Sequence, residues 1–121
     1  MSITLLSIFR RREGMTHDEF VDYYENAHRL IGEKVLAGYA SGYRRRFTTP
    51  FGMEADAADP DVVMEIDFPD EATMNDFFAS IEGDPDTRAM IEEDEEKLFD
   101  RTSMRMYLLD ERTSPMPAPE R

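Results

Sequence analysis

His28 is the residue in this sequence best suited to chemistry. With His17 it is one of only two histidines in a chain of 121 residues that contains no cysteine. An imidazole with an ordinary pKa of about 6.5 takes or gives a proton in neutral water, so one histidine against a ligand suffices for acid–base work. His28 stands four residues after Tyr24 and seven after Val21. That spacing puts it on the shoulder of an apolar helix face formed by Phe20, Tyr24, Ala27 and Ile31. Two readings follow: proton exchange with a ligand, or a structural hydrogen bond from helix to sheet. His17 falls in the first helical turn and reads as an exposed residue.

Other chemistries find little support. Without cysteine there is no disulfide, thiolate metal site or cysteine nucleophile. Two histidines on one helix do not make a histidine-rich metal site. The acidic run Glu92 to Glu96 lacks a histidine and the spacing of a calcium loop, so it reads as a solvated helix face, with Ile91, Leu98 and Phe99 docking the other side. The chain has no GxSxG, glycine-rich phosphate loop, dinucleotide fingerprint or HExxH.

The elements that must position His28 are well signalled. Thr16 and Glu19 form a capping box, and Met15 with Phe20 a hydrophobic staple, so a helix starts there. It runs to about Arg29 or Ile31, where Gly32 weakens it. Before it, Ile3 to Phe9 reads as a strand. After it, Tyr43 to Thr48 reads as a second strand and Asp61 to Phe68 as a third, joined by a loop bounded by Pro50 and Pro60. In the third strand Val62, Met64, Ile66 and Phe68 face one way, with Val63, Glu65 and Asp67 opposite. Asp70 caps a second helix carrying Met74, Phe77, Phe78 and Ile81, which Gly83 interrupts before Asp84-Pro85 restarts it. Met104 to Leu109 closes the order as a fourth strand. The fold class is therefore α+β: a ferredoxin-like β-α-β-β-α-β chain with helices on one face of an antiparallel sheet. The uncovered face predicts a two-fold homodimer.

Composition limits the partners. A net charge of −13 argues against nucleic acid and anionic membrane surfaces, which are bound by cationic groups. Arg44, Arg45 and Arg46 alternate between strand faces and read as solvated charges. No apolar run approaches the length of a membrane span, and the N-terminus does not read as a signal peptide. Together with the lack of cysteine this points to a reducing, cytoplasmic setting. Residues 1–111 are expected to form one domain and the proline-rich residues 112–121 a disordered tail.

The pattern Met15-Thr16-x-x-Glu19-Phe20 followed by Tyr24-Glu25-Asn26-Ala27-His28 resembles the EthD family of the dimeric α+β barrel superfamily. The segment from Asp94 to Asp100 and the closing strand ending at Asp110-Glu111 resemble that family's end segment. Tyr24 stands where the family usually has tryptophan. Arg29 and Leu30 stand where it usually has proline and a hydrophobic residue. The resemblance implies a cofactor-independent enzyme. His28 would act as acid and base on a small cyclic or aromatic oxygenated metabolite, in an isomerase, cyclase/dehydratase or monooxygenase type of reaction in a catabolic or polyketide pathway. It also implies a ligand cavity between the first helix and the sheet. There Tyr24 would close one side, Tyr43 and Tyr107 would donate to an oxyanion, Arg45 would fix a carboxylate, and Glu65 would orient the imidazole. No cofactor is expected. The alternative is a non-catalytic small-molecule-binding or accessory protein of such a pathway.

Overall fold

The computed structural model describes residues 1–120; Arg121, the last residue of the expected tail, lies outside the described residues. The chain runs β1 (Ile3–Arg11), α1 (His17–Tyr23), a π-helical turn (Tyr24–His28), α2 (Arg29–Leu36), β2 (Gly42–Phe47), β3 (Val62–Phe68), α3 (Glu71–Glu82), α4 (Pro85–Leu98) and β4 (Phe99–Leu108). The sheet order is β2-β3-β1-β4, and every neighbouring pair is antiparallel. β1 and β2 thus run the same way with β3 between them, which is the split βαβ of a ferredoxin-like fold. Among the described residues no helix is long and apolar enough to cross a membrane.

The first helix starts as its sequence dictates. Glu19 N–H donates to the Thr16 hydroxyl at 3.1 Å, and Thr16 N–H donates to the Glu19 carboxylate at 2.9 Å. It runs past the expected end, through Gly32 to Leu36. A Cβ at position 32 would sit 2.7 Å from the Tyr43 hydroxyl. The glycine therefore lets β2 press a tyrosine against the helix, which offsets its ordinary cost of ~1 kcal/mol in helical conformation. The chain turns away at Gly38, whose φ of 87° favours glycine.

In the π-helical turn Arg29 N–H reaches back to the Tyr24 carbonyl, five residues earlier. The wider turn brings residues four apart into line. Phe20, Tyr24 and His28 are consequently all buried, with Ala27 beside them. His28 lies in the buried stripe itself, not on its shoulder.

Two apolar clusters fill the space between sheet and helices. One holds Phe9, Phe20, Tyr24, Val62, Leu98 and Phe99; the other Leu5, Leu36, Ile66, Phe68, Met74 and Phe77. Phe9 stacks on Phe99 at 4.0 Å between ring centroids, and Phe20 meets Phe47 edge to face at a centroid distance of 6.2 Å. Phe99 also explains why β4 begins before the expected Met104: it pairs with Arg11 and is 4% exposed. Between Ile8 and Arg10 the register with β4 slips. There Arg10 N–H donates to the Ser103 hydroxyl at 2.9 Å, so a polar bulge lies inside the strand.

Strand parity sorts the sheet into two faces. Leu5, Ser7 and Phe9 face the helices with Met64, Ile66 and Met106. Leu6 pairs with Glu65 on one side and Tyr107 on the other, so these three share the outer face. Glu65 accepts from Arg44 at 3.3 Å and also pairs with Arg46. Asp67 accepts two hydrogen bonds from Arg44, at 2.6 and 2.9 Å, and one from Thr4 at 2.6 Å.

Candidate functional site

A cavity of about 260 Å³ lies between the helix face of the sheet and the helices. Its walls are mainly apolar, from Leu5, Met64, Ile66, Phe77, Met104 and Met106 among others. The polar exceptions are Ser7, Tyr24, His28, Tyr43 and Glu95. A small apolar cleft with a few converging polar groups is the usual build of a ligand site.

His28 is anchored from α4. Its Nδ1 lies 2.8 Å from Asp94 Oδ2, and the Tyr23 hydroxyl donates to Asp94 Oδ1 at 2.5 Å. A carboxylate accepts only, so Nδ1 carries the proton and Nε2 is left as the basic nitrogen. Tyr24 and Phe99 hold the ring on edge, at centroid distances of 5.1 and 5.3 Å. Burial pulls the His28 pKa below 6.5, against the opposing pull of the Asp94 carboxylate. The imidazole is therefore neutral near pH 7 and ready to take a proton. Burial and the bond to Asp94 push the Tyr23 phenol up to about 12, so it stays a donor.

Tyr24 and Tyr43 bring their hydroxyls within 3.4 Å of each other. Burial raises both phenols above their ordinary value, so both keep their protons and can donate to a ligand oxygen.

Three expected site residues stand elsewhere. Arg45 reaches both carboxylate oxygens of Glu25 at 3.1 Å and lies over the Tyr43 ring at 4.9 Å. It braces that tyrosine from behind and does not line the cavity. Glu65 sits across the sheet, pinned by arginines, and Asp94 does the orienting expected of it. Tyr107 is also on the outer face, where Arg105 donates to its hydroxyl at 2.6 Å. His17 is half-buried, with Nδ1 2.8 Å from Asp61, and ties the start of α1 to the start of β3.

Asp94 and Glu95 were concealed by the acidic run around them. The signal was nevertheless present: Ile91, Asp94, Glu95 and Leu98 follow helical spacing, so a helix that docks Ile91 and Leu98 must turn those two carboxyl groups inward.

A family model described as the EthD domain matches residues 12–102, most of the chain and all of the histidine–aspartate pair. The chain belongs to the EthD-domain family. Solved structures bear out the fold of this EthD-domain protein. An EthD family protein from Bacillus halodurans is 14% identical, with a TM-score of 0.65 over 93% of this chain and 100% of its own. A NIPSNAP-like domain protein from Burkholderia xenovorans is 22% identical, with a TM-score of 0.60 over 98% and 91%. A dimeric protein of ferredoxin-like fold from Bacteroides fragilis is 11% identical, with a TM-score of 0.59 over 90% and 95%. No curated protein matches the sequence.

Proposed function

We propose that this EthD-domain protein is an acid–base enzyme that needs no cofactor and acts on a small cyclic, oxygenated molecule held in the cavity. The observation that carries this reading is the His28–Asp94 pair opening onto an apolar cavity beside two phenols. In the reaction a C–H bond next to a ring carbonyl breaks and its proton passes to His28 Nε2. The electron pair moves to the carbonyl oxygen, where Tyr24 or Tyr43 donates a hydrogen bond to the new negative charge. Return of the proton to another carbon of the conjugated system completes an isomerisation with atoms and charge conserved. Asp94 keeps the imidazole in the right tautomer and steadies it while protonated.

The working unit in this reading is a homodimer. Leu6, Ile8, Val63 and Tyr107 lie on the outer face and retain exposed surface that a second copy would cover. The Bacteroides fragilis protein of this fold is dimeric.

Proton exchange tests the chemistry without knowledge of the natural substrate. In deuterated water, NMR would follow loss of the α-hydrogens from a panel of small cyclic enones and lactones. Catalysed exchange is expected for at least one member, falling ~10²-fold in His28→Ala. Binding without any catalysed exchange would make the protein a binder. Exchange that survives in His28→Ala would make the histidine structural.

A further inference from the structure

Glu95 is a carboxyl group on the cavity wall that takes no part in the His28–Asp94 pair. Its side chain is 17% exposed, and its ion-pair contact among the described residues is Arg101 Nε at 3.9 Å, beyond hydrogen-bond reach. Arg101 is itself 42% exposed and also approaches Glu96 at 3.6 Å. No lysine or arginine lines the cavity among the described residues. Arg45, which lies over the ring of the lining residue Tyr43, is neutralised by Glu25. An anionic ligand would therefore lose its water without meeting a cation.

From this arrangement we infer that the cavity is selective for uncharged ligands and that Glu95 meets them as a neutral carboxylic acid, donating its proton in a hydrogen bond to a ligand oxygen. The inference rests on the cavity being the ligand site and adds its substrate class: neutral ketones, lactones and phenols, not carboxylates. The groups facing Glu95 agree. Glu92 and Asp94 on its own helix favour its neutral form, Arg101 on β4 opposes them, and the π-helical turn presents an uncharged His28 and the Tyr24 phenol to the same space. Burial is the largest influence, and it raises the carboxyl above its ordinary value of 4.5. The neutral acid would supply a third O–H donor beside the Tyr24 and Tyr43 phenols. Ser7, 2% exposed on the cavity wall, adds a small hydroxyl at the floor.

The test uses two probes with the same ring system and different charge, 2-naphthol and 2-naphthoate, titrated calorimetrically into the full-length protein near neutral pH. The neutral probe is expected to bind at least about tenfold more tightly, since the anion must be desolvated without a cation to meet it. The second arm repeats the 2-naphthol titration from about pH 5 to about pH 8, where that probe stays uncharged. Wild-type affinity should fall as Glu95 ionises. Glu95→Gln, which donates at every pH, should hold its affinity over that range, and any dependence left in it belongs to His28. Equal or tighter binding of 2-naphthoate overturns the inference alone, as does the same pH profile in wild type and Glu95→Gln. Binding of neither probe overturns both the inference and the ligand-site reading beneath it.

Discussion

Glu65 and Glu95 are two glutamates largely withdrawn from water on opposite sides of the sheet layer. Glu65, 8% exposed, lies between Arg44 and Arg46, and its neighbour Asp67 is held by Arg44 and Thr4. Glu95 meets apolar walls and an arginine too distant to bond. On the outer face Glu65 and Asp67 are matched by Arg44 and Arg46, so these charges cancel locally and the face can pack against another surface. On the helix face Asp94 is committed to the imidazole and Glu25 to Arg45. The contrast separates carboxyl groups that hold the fold together from those left available to a ligand. Pairing decides which is which, since both kinds are withdrawn from water.

Substitutions can break this contrast at either end. The largest effect is expected at Phe20, fully buried and in edge contact with Tyr24 and Phe47. Phe20→Ala should cost about 3–5 kcal/mol in chemical denaturation, because the cluster that seats the π-helical turn loses its centre. Glu65→Gln sharpens the comparison from the other face. It should cost about 1–2 kcal/mol, as Arg44 and Arg46 are partly exposed and can rehydrate, while probe binding in the cavity stays unchanged. A change in probe affinity there would show that the two faces are coupled. The smallest stability effect is expected for Gly32→Ala. A gain of up to ~1 kcal/mol in helix propensity competes with the displacement of Tyr43, leaving stability within about 1 kcal/mol of wild type. Affinity for 2-naphthol should nonetheless fall, because the Tyr43 phenol on the cavity wall has moved.

The fold was legible because its signals are local. A capping box at Thr16, the caps Asp70 and Asp84 with Pro85, and the alternation through Val62, Met64, Ile66 and Phe68 each act within a few residues. The site was only half legible, because it depends on what lies across a gap. Tyr24 and Tyr43 reach the cavity as expected from their elements. Arg45 does not, because Glu25 is there to claim it, and only the packing of the π-helical turn against β2 brings that pair together. Glu65 and Tyr107 stand on the other face: both pair with Leu6, while the cavity is lined by Ser7 and its neighbours Met64 and Met106, and for Glu65 the alternation along β3 already pointed away from the apolar side. The π-helical turn leaves no mark in composition, since it is a choice of hydrogen-bond partner.

The state of the His28 ring tests the whole arrangement most directly. Long-range proton–nitrogen NMR of the imidazoles across a pH titration would read it, with His28→Ala assigning the two histidines. The expected result is a His28 that titrates below 6.5 and whose neutral form carries its proton on Nδ1. The same shift implies that the stability His28 contributes is complete above pH 6.5 and declines as the pH falls below it, where the unfolded chain binds the extra proton first. A ring that titrates at or above 6.5, or whose neutral form carries its proton on Nε2, would contradict a buried base oriented by Asp94.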